Sequence, residues 1–465
     1  MHARTGRTVR DLRRENRTAV LRRLYFDGPK SRLMLGPATG LSSGSVSNVV
    51  AELLAEGLVE EAGSVDSAGG RPRTLLRITP GSGFMIGVDI GETRIRIELF
   101  DLTLTELART ERALACSGPR TDRYDVDLVV AHLRDGIAEV LRAANVPVER
   151  LLGIGVGVPG IVAHTEDGAV VHGQTIGWDS VPLERLLRQA VDLPETVPYW
   201  IDNGAKTLGQ AEMWFGAGRG ARSAVVVLFG SGVGACSVSD PMEPGRALEW
   251  GHLTVRVRGR RCRCGSHGCL EAYAGAEALL ERWREAGGRP PAGADEETAL
   301  TAMLAAAYPA DPAYSTDPAA PIDPAAPTDP SDPAAPATPS APSAPSTEPD
   351  ATALAVLDET AEYLGAGFAD LINLFQPERI LVGGWAGLQL GSRFLRTVIR
   401  YSDAYALRYP ASRTRIDLGT LGPQAVTVGA ALLPLADFFA RGGRSPETEP
   451  STPAPAWQAA LQDRV

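Results

Sequence analysis

The densest chemistry in this chain of 465 residues lies between positions 249 and 271. His252, Cys262, Cys264 and Cys269 form a His-x9-Cys-x-Cys-x4-Cys cluster. Three thiolates and one imidazole complete a tetrahedral shell for Zn²⁺, and a full shell marks a structural ion rather than a catalytic one. Gly265 and Gly268 would let the backbone wrap tightly, and Arg260, Arg261 and Arg263 would help offset thiolate charge. Five cysteines are too few for a disulfide scaffold, and three of them within eight positions point to a metal. The plain alternative is a reduced, metal-free surface loop.

Two glycine runs follow short β-rich segments: Asp89-Ile90-Gly91-Glu92-Thr93 and Gly230-Ser231-Gly232-Val233-Gly234. A strand followed by a glycine turn lets backbone amides approach phosphate. Tight hairpins without a ligand remain the competing explanation. Neither run opens a helix with an acid at the spacing a dinucleotide fold requires, which sets aside a Rossmann reading.

A third constellation lies at the amino-terminal end. Leu12, Val20, Leu21, Leu24 and Tyr25 fit one apolar helical face that Asp27-Gly28-Pro29 ends. Thr39-Gly40-Leu41-Ser42 forms a turn with Ser42 as N-cap. The following helix buries Val46, Val49, Val50, Leu53 and Leu54, which leaves Gly44, Ser45 and Asn48 facing outward and stops the helix at Gly57. Strand-like Leu58-Val59 and Thr74–Ile78 flank a turn at Gly69-Gly70-Arg71-Pro72-Arg73. Two helices, a turn and a hairpin make a winged helix-turn-helix whose second helix enters the DNA major groove. Ser43, Ser45 and Asn48 are its base-edge or phosphate candidates, and Arg71 on the wing is a phosphate or minor-groove candidate. Helix-turn-helix folds also serve as dimerisation modules, which is the bland alternative.

Charge distribution favours DNA. The chain carries a net −10, yet residues 1–80 hold 13 Lys+Arg against 8 Asp+Glu. Arginines crowding positions 4 to 23 suit phosphate contacts, while the acidic remainder argues against general nucleic-acid coating.

These pieces need elements to position them. At this length, with 44% hydrophobic residues, two or three domains are expected. Met85–Ile90, Ile95–Phe100, Ile154–Val158 and Ala224–Phe229 alternate with helical stretches in the rhythm of an α/β protein. A Pro/Ala/Asp/Ser/Thr tract over 309–350 cannot bury a core and is expected to be disordered or extended. Folded sequence resumes with a helix from Thr352 through Leu371 and the strand Arg379–Val382, and a disordered tail is expected over 441–465. No apolar run is long enough to span a membrane and no secretory signal is evident, so a cytoplasmic location without membrane contact is expected.

Gly251-His252 with Cys262-Arg263-Cys264-Gly265-Ser266-His267-Gly268-Cys269-Leu270-Glu271 closely resembles the zinc signature of the ROK family (repressors, open reading frames and sugar kinases). Asp89–Thr93, Gly155-Val156-Gly157-Val158-Pro159-Gly160, Gly230–Gly234 and Leu381-Val382-Gly383-Gly384 follow in matching order. Asn16-Arg17, Thr39–Ser42, Val46-Ser47, Gly57-Leu58-Val59 and Gly70-Arg71-Pro72 look like the helix-turn-helix half of the family's regulators. The resemblance runs from about Asn16 to Ala440, interrupted by the Pro-rich tract.

It implies an α/β architecture: an N-terminal winged helix-turn-helix followed by a two-lobed actin-like (ribonuclease H-like) sugar-kinase fold, with a sugar cleft between lobes. The expected boundaries are 1–80 for the winged helix, 81–205 for the first lobe and 206–440 for the second lobe with the zinc site. Asp89, Gly91 and Thr93 would be vestiges of the first phosphate loop, and Gly230, Gly232 and Gly234 of the second. Asn203, Glu249, His252 and Glu271 would hold the sugar, with His252 shared between sugar and Zn²⁺.

One position departs from the family. Its kinases carry Asn-Asp-x-Asn before Phe-Gly-Ala-Gly-Arg-Gly, and that Asp removes the proton from the sugar hydroxyl. Counting back from Phe215, Asn203 matches the first Asn, Gly204 replaces the Asp and Lys206 replaces the second Asn. Glycine cannot accept a proton, and loss of a general base costs roughly 10²–10⁴-fold in rate. Asp202 could substitute only through a register shift. The expected function is a transcription regulator, most simply a repressor, that binds a double-stranded DNA operator as a homodimer or homotetramer and responds to a sugar or sugar phosphate. The alternatives are an active ATP-dependent sugar kinase with a fused DNA-binding domain, and a structural adaptor that binds neither.

Overall fold

The computed structural model describes residues 8–67, 70–114, 124–239, 245–309 and 348–444. Helix α1 (Val9–Asp27) starts at a capping box in which Thr8 and Asp11 satisfy each other's backbone amides, and it ends at Gly28 with a φ of 77°. Strand β1 (Lys30–Ser31) leads into α2 (Arg32–Thr39), a helix that the apolar patterning did not single out and that contains Pro37. Ser31 caps it and Leu35 is its buried anchor. Gly40, left-handed at φ 72°, ends α2, and Ser42 caps α3 (Ser43–Ala55) by accepting from the Ser45 amide. Val46, Val49, Val50 and Leu53 of α3 are buried, as their spacing predicts. Strands β2 (Val59–Ser67) and β3 (Gly70–Ile78) form the wing, in a sheet ordered β1-β3-β2.

The next sheet is built by β4 (Phe84–Ile90), β5 (Arg94–Asp101), β6 (Glu106–Ala113), β7 (Leu151–Val158) and β11 (Tyr199–Asn203), in the order β11-β7-β4-β5-β6. Helix α4 (Val126–Ala144) precedes β7; the small sheet of β8 (Ile161–Thr165), β9 (Gly168–Gly173) and β10 (Trp178–Val181) and helix α5 (Leu183–Ala190) precede β11. Ile97 of β5 meets α4 through Gly136, where an added Cβ would lie 2.3 Å from the Ile97 side chain. Its neighbour Glu98 points to the opposite face, as strand alternation requires.

Helix α6 (Gly204–Phe215) then carries the chain into a second compact unit, Glu212–Pro423. Its sheet is ordered β14-β13-β12-β15-β16, from β12 (Ala224–Phe229), β13 (Val233–Val238), β14 (Arg246–Leu248), β15 (Arg379–Gly383) and β16 (Arg415–Leu418). Helices α7 (Glu271–Ala274), α8 (Ala276–Glu285), α9 (Glu296–Ala307), α10 (Ala351–Phe375), α11 (Trp385–Tyr405) and α12 (Arg408–Ala411) complete it. Leu280, Met303, Leu304 and Phe368 join Val225 and Val227 in one core.

The chain then returns. Helix α13 (Ala425–Ala440) packs on β4 and β7, inside the unit Met1–Ala211 with Gln424–Val465. The expected second lobe over 206–440 therefore needs correction at both ends, because the first unit runs to Ala211 and reclaims α13. Glycine is the reason. A Cβ on Gly87 would sit 2.0 Å from the Thr427 carbonyl oxygen, and one on Gly155 would sit 1.8 Å from that of Ala430. A helix backbone can rest on a strand backbone this closely only where side chains are missing.

The Pro-rich tract expected over 309–350 lies outside the described residues apart from its ends, where the Asp350 amide donates to Ala306 O at 2.9 Å and Asp350 caps α10. Of the tail expected to be disordered over 441–465, Gly442 and Gly443 are buried, which corrects its start, and residues 445–465 lie outside the described set. Among the described residues, no helix is long and apolar enough to cross a membrane.

Gly155→Ala should cost at least about 2 kcal/mol, since overpacking a tight backbone contact leaves nothing flexible to move. Gly81→Ala, with no atom near its Cβ, is the control and should stay within about 0.5 kcal/mol. Denaturant melts of the two variants check this; equal midpoints would contradict the close seating of α13.

Candidate functional site

Chain geometry makes a knuckle between Thr254 and Cys269. Cys262 N donates to Ser266 O at 2.8 Å and Gly268 N to Arg260 O at 2.8 Å. Gly265 and Gly268 adopt φ of 95° and 79°, and a Cβ on Gly268 would strike the Arg256 carbonyl at 1.8 Å. The turn gathers His252, Cys262, Cys264 and Cys269 so that their ligand atoms lie within 4.8 Å of one another. Cys264 Sγ is 3.8 Å from Cys269 Sγ, and Cys262 Sγ is 3.8 Å from His252 Nδ1. Ligands about 2.3 Å from a tetrahedral ion stand roughly 3.8 Å apart, so the donor set fits Zn²⁺. Burial raises the Cys262 and Cys269 thiols above their ordinary range, a penalty that a bound dication offsets.

The nearby arginines serve carboxylates instead of thiolates, which corrects the expectation for two of them. Arg260 Nη1 and Nη2 each bond Glu285 at 2.9 Å. Arg263 grips Glu271 with Nε to Oε1 at 2.6 Å and Nη2 to Oε2 at 3.0 Å. The Val233 amide donates to the same Oε2 at 3.1 Å. Burial raises the Glu271 carboxyl, but Arg263 outweighs it and holds the group below the usual carboxylate range. Glu271 is thus a buried, ionised carboxylate.

Glu249 and His252 stand on a short 3₁₀ turn that Trp250 anchors, its indole donating to Gly367 O at 3.1 Å. Sequence reasoning did not single out Trp250; an aromatic next to two polar candidates was the available signal. His252 Nδ1 faces the cysteines, while Nε2 lies 4.0 Å from the exposed Glu249 carboxylate. One imidazole therefore presents one nitrogen to the metal cluster and the other away from it.

Asn203, at the end of β11 in the other unit, has both ends of its amide engaged. Nδ2 donates to Gly160 O at 2.7 Å, and Oδ1 accepts from the Ala205 amide at 2.9 Å and that of Lys206 at 3.3 Å. Gly204 opens α6, so no carboxylate stands there. Asp202 is held by Lys206, whose Nζ lies 2.5 Å from Oδ2. Glu212, on the same helix, is a buried carboxylate missed as a structural element: Oε1 accepts from the amides of Thr420 and Leu421, and Oε2 from that of Ala217 in the Phe-Gly-Ala-Gly run.

Both glycine runs turn between antiparallel strands. Gly91 N donates to Arg94 O at 3.0 Å, and Thr93 is buried. Asp89 is pushed up to about 7 by burial, with Arg96 opposing. At Gly232 a Cβ would collide with Arg263 Nη2 at 1.9 Å and Glu271 Oε2 at 2.1 Å. Packing alone accounts for this glycine. Gly230 N donates to Gly232 O at 2.9 Å, and Gly234 lies in β13.

In the winged helix, Ser43, Gly44, Ser47 and Asn48 are exposed on α3, whereas Ser45 is half-buried with Oγ 2.9 Å from that of Ser42. Ser47 was missed because its neighbours already filled the motif. Arg71 lies in β3. The basic amino-terminal stripe is less available to phosphate than its composition suggests. Arg13 Nη2 pairs with Glu52 at 2.7 Å, Arg14 Nη2 lies 3.3 Å from Asp11, and Arg17 is buried.

Residues 85–436 match the ROK family. The chain is 27% identical over 434 residues to a putative xylose repressor of Caldicellulosiruptor sp. (strain Rt8B.4), covering 91% of this chain and 96% of the relative. It is 28% identical over 361 residues to a glucokinase of Halalkalibacterium halodurans, covering 75% and 94%. A solved ROK family transcriptional regulator, a homologue of the E. coli MLC protein, shares the fold with a TM-score of 0.66 at 24% identity, over 93% of this chain and 98% of that one.

Two measurements test the site. Purified protein should carry one zinc per chain, and chelation or Cys264→Ser should lower its melting temperature; metal-free protein with an unchanged melt would exclude the ion. Asp89, protonated more readily when folded, should lose stability as pH rises from about 4 to about 7, because the folded state binds the extra proton. The Asp89→Asn variant should therefore gain on wild type across that window and hold the gain above it. A pH-independent difference would contradict the raised Asp89 carboxyl.

Proposed function

This chain belongs to the ROK family, and from that premise we propose that it is a DNA-binding transcriptional repressor controlled by a sugar or sugar-phosphate effector. The observation that carries the reading is the fused winged helix with α3 free on its outward face, where Ser43, Gly44, Ser47 and Asn48 are exposed. The match to the putative xylose repressor covers 91% of the chain and so extends into residues 1–80, whereas the 75% matched to the glucokinase need not. Asn48 suits a bidentate contact with adenine, Ser43 and Ser45 suit phosphate or base edges, and Arg71 of the wing suits phosphate or the minor groove. A two-fold dimer would read two half-sites.

In the kinase-like domain, Asn203, Glu249, His252 and Glu271 are the proposed effector ligands, because a polyol hydroxyl both donates and accepts. His252 would be oriented by the zinc through Nδ1 and offer Nε2 to the effector. The structural Zn²⁺ would be held by His252, Cys262, Cys264 and Cys269, neutralising thiolates and fixing the knuckle. The glycine loops at Asp89–Thr93 and Gly230–Gly234 are vestigial in this reading. Gly204 offers no general base, and the Asp202 carboxylate is already paired with Lys206. The effector acts by population shift, so it must bind one state more tightly than the other; a coupling of about 1–3 kcal/mol changes operator affinity roughly 5–150-fold.

Selection from random duplex DNA should enrich one two-fold symmetric site, and Asn48→Ala should weaken it by about 1–3 kcal/mol and relax one base position. No enrichment with or without sugars and sugar phosphates would overturn the proposal. A coupled ADP-release assay over hexoses, pentoses and N-acetylhexosamines should show no turnover above background, while Gly204→Asp should raise it. Brisk wild-type turnover would establish the kinase instead.

A further inference from the structure

The most buried charged side chain in the winged helix touches no DNA-facing surface. Arg17, on α1, is 1% exposed. Its Nη1 donates to Glu52 Oε2 at 3.2 Å and to Glu56 Oε1 at 2.9 Å, and Nη2 donates to Glu56 Oε2. Glu52 lies within the recognition helix α3 and Glu56 caps its C-terminus. The remaining donor, Nε, reaches Gly442 O at 2.7 Å, just beyond the end of α13. One planar guanidinium thus joins three elements through four hydrogen bonds, more than the three donors of a lysine ammonium could make.

The carbonyl it reaches is itself tightly placed. Gly442 and Gly443 adopt φ of 71° and 80°, and their amides donate to Phe439 O and Phe438 O at 2.9 Å each. A Cβ on Gly443 would lie 2.8 Å from Leu21 and 2.9 Å from Leu58, so the turn is pressed against the winged helix. Thr18 Oγ1 donates to Phe439 O at 2.6 Å and Tyr25 packs edge-on against Phe439 at 5.0 Å. At its other end α13 rests on the strand backbones at Gly87 and Gly155, and Thr427 donates to buried Glu98. Helix α13 alone thus spans from the strand backbones at Gly87 and Gly155 to the turn whose Gly442 carbonyl meets Arg17.

We propose that Arg17 is a positioning residue: it fixes the recognition helix α3 to helix α13, so that the kinase-like sheet and the DNA-reading surface move as one body. This rests on the repressor reading above. Coupling is reciprocal, so DNA bound at α3 must be felt at the Gly442-Gly443 turn.

Full-length protein and its selected operator provide the test, with amide hydrogen exchange as the readout. In wild type, operator DNA should increase protection of the Gly442 and Gly443 amides. In the double variant Glu52→Gln/Glu56→Gln, which removes the partly exposed acids and leaves Arg17 bonded to Gly442, saturating DNA should protect only the winged helix. Arg17→Met should lower operator affinity at least tenfold with affinity for random duplex changed less than twofold, and Arg17→Lys should restore part of the loss. A merely structural Arg17 would instead lower the melting temperature and both affinities together, overturning the proposal. So would DNA-induced protection at Gly442 and Gly443 that is missing in wild type or retained in the double variant. If wild type selects no DNA, the repressor reading fails and this one falls with it; if it selects DNA without that protection, only this one fails.

Discussion

Backbone-to-backbone contact between α13 and the first sheet is the constraint on which much of this molecule depends. Helices normally rest on a sheet through a layer of interdigitated side chains. Here Gly87 and Gly155 on the strands remove that layer, and Gly429 on the helix does the same against α6, where a Cβ would lie 1.8 Å from Thr207 O. Three glycines therefore decide that the last helix leaves the unit it follows in sequence and closes the unit where the chain began. They also carry it beside α6, whose first residues are Gly204, Ala205 and Lys206, and deliver Gly442 to Arg17.

Buried carboxylates supply the second organising device, and each is answered by donors of a different kind. Glu271 has a guanidinium and one backbone amide, Glu212 has three backbone amides, and Glu98 has the Thr427 hydroxyl. A buried charge without such partners would cost several kcal/mol. The consequence at the metal cluster is that Arg263, sequestered by Glu271, cannot neutralise the thiolates. An ion held by His252, Cys262, Cys264 and Cys269 would do so, and would tie the fold of the knuckle to metal occupancy.

The same logic bears on the start of α6. A kinase needs a carboxylate free to accept a proton at the start of α6. The chain instead has a glycine there and ties the adjacent Asp202 to Lys206. What stands at this place is a helix start capped by Asn203, with hydrogen-bonding groups and no unpaired carboxylate.

Much of this was legible in the order of residues. The His/Cys spacing singled out the cluster that the fold brings together, because coordination demands particular side chains within a short reach. The heptad-like stripe of Val46, Val49, Val50 and Leu53 and the cap at Ser42 located helix α3, because helix periodicity and capping are local. The substitution at Gly204 was visible for the same reason: it is a missing atom, whatever the fold. Sequence patterning could not see that α13 returns to the first unit, since the close approach joins Gly155 to Ala430 across more than two hundred residues. Nor could it see that Arg13 and Arg17 of α1 are occupied by Glu52 and Glu56, or that Arg263 faces Glu271 instead of the thiolates. Composition counts charges, but only the folded chain decides which opposite charge lies within reach, and so which of them stay available to DNA, metal or effector.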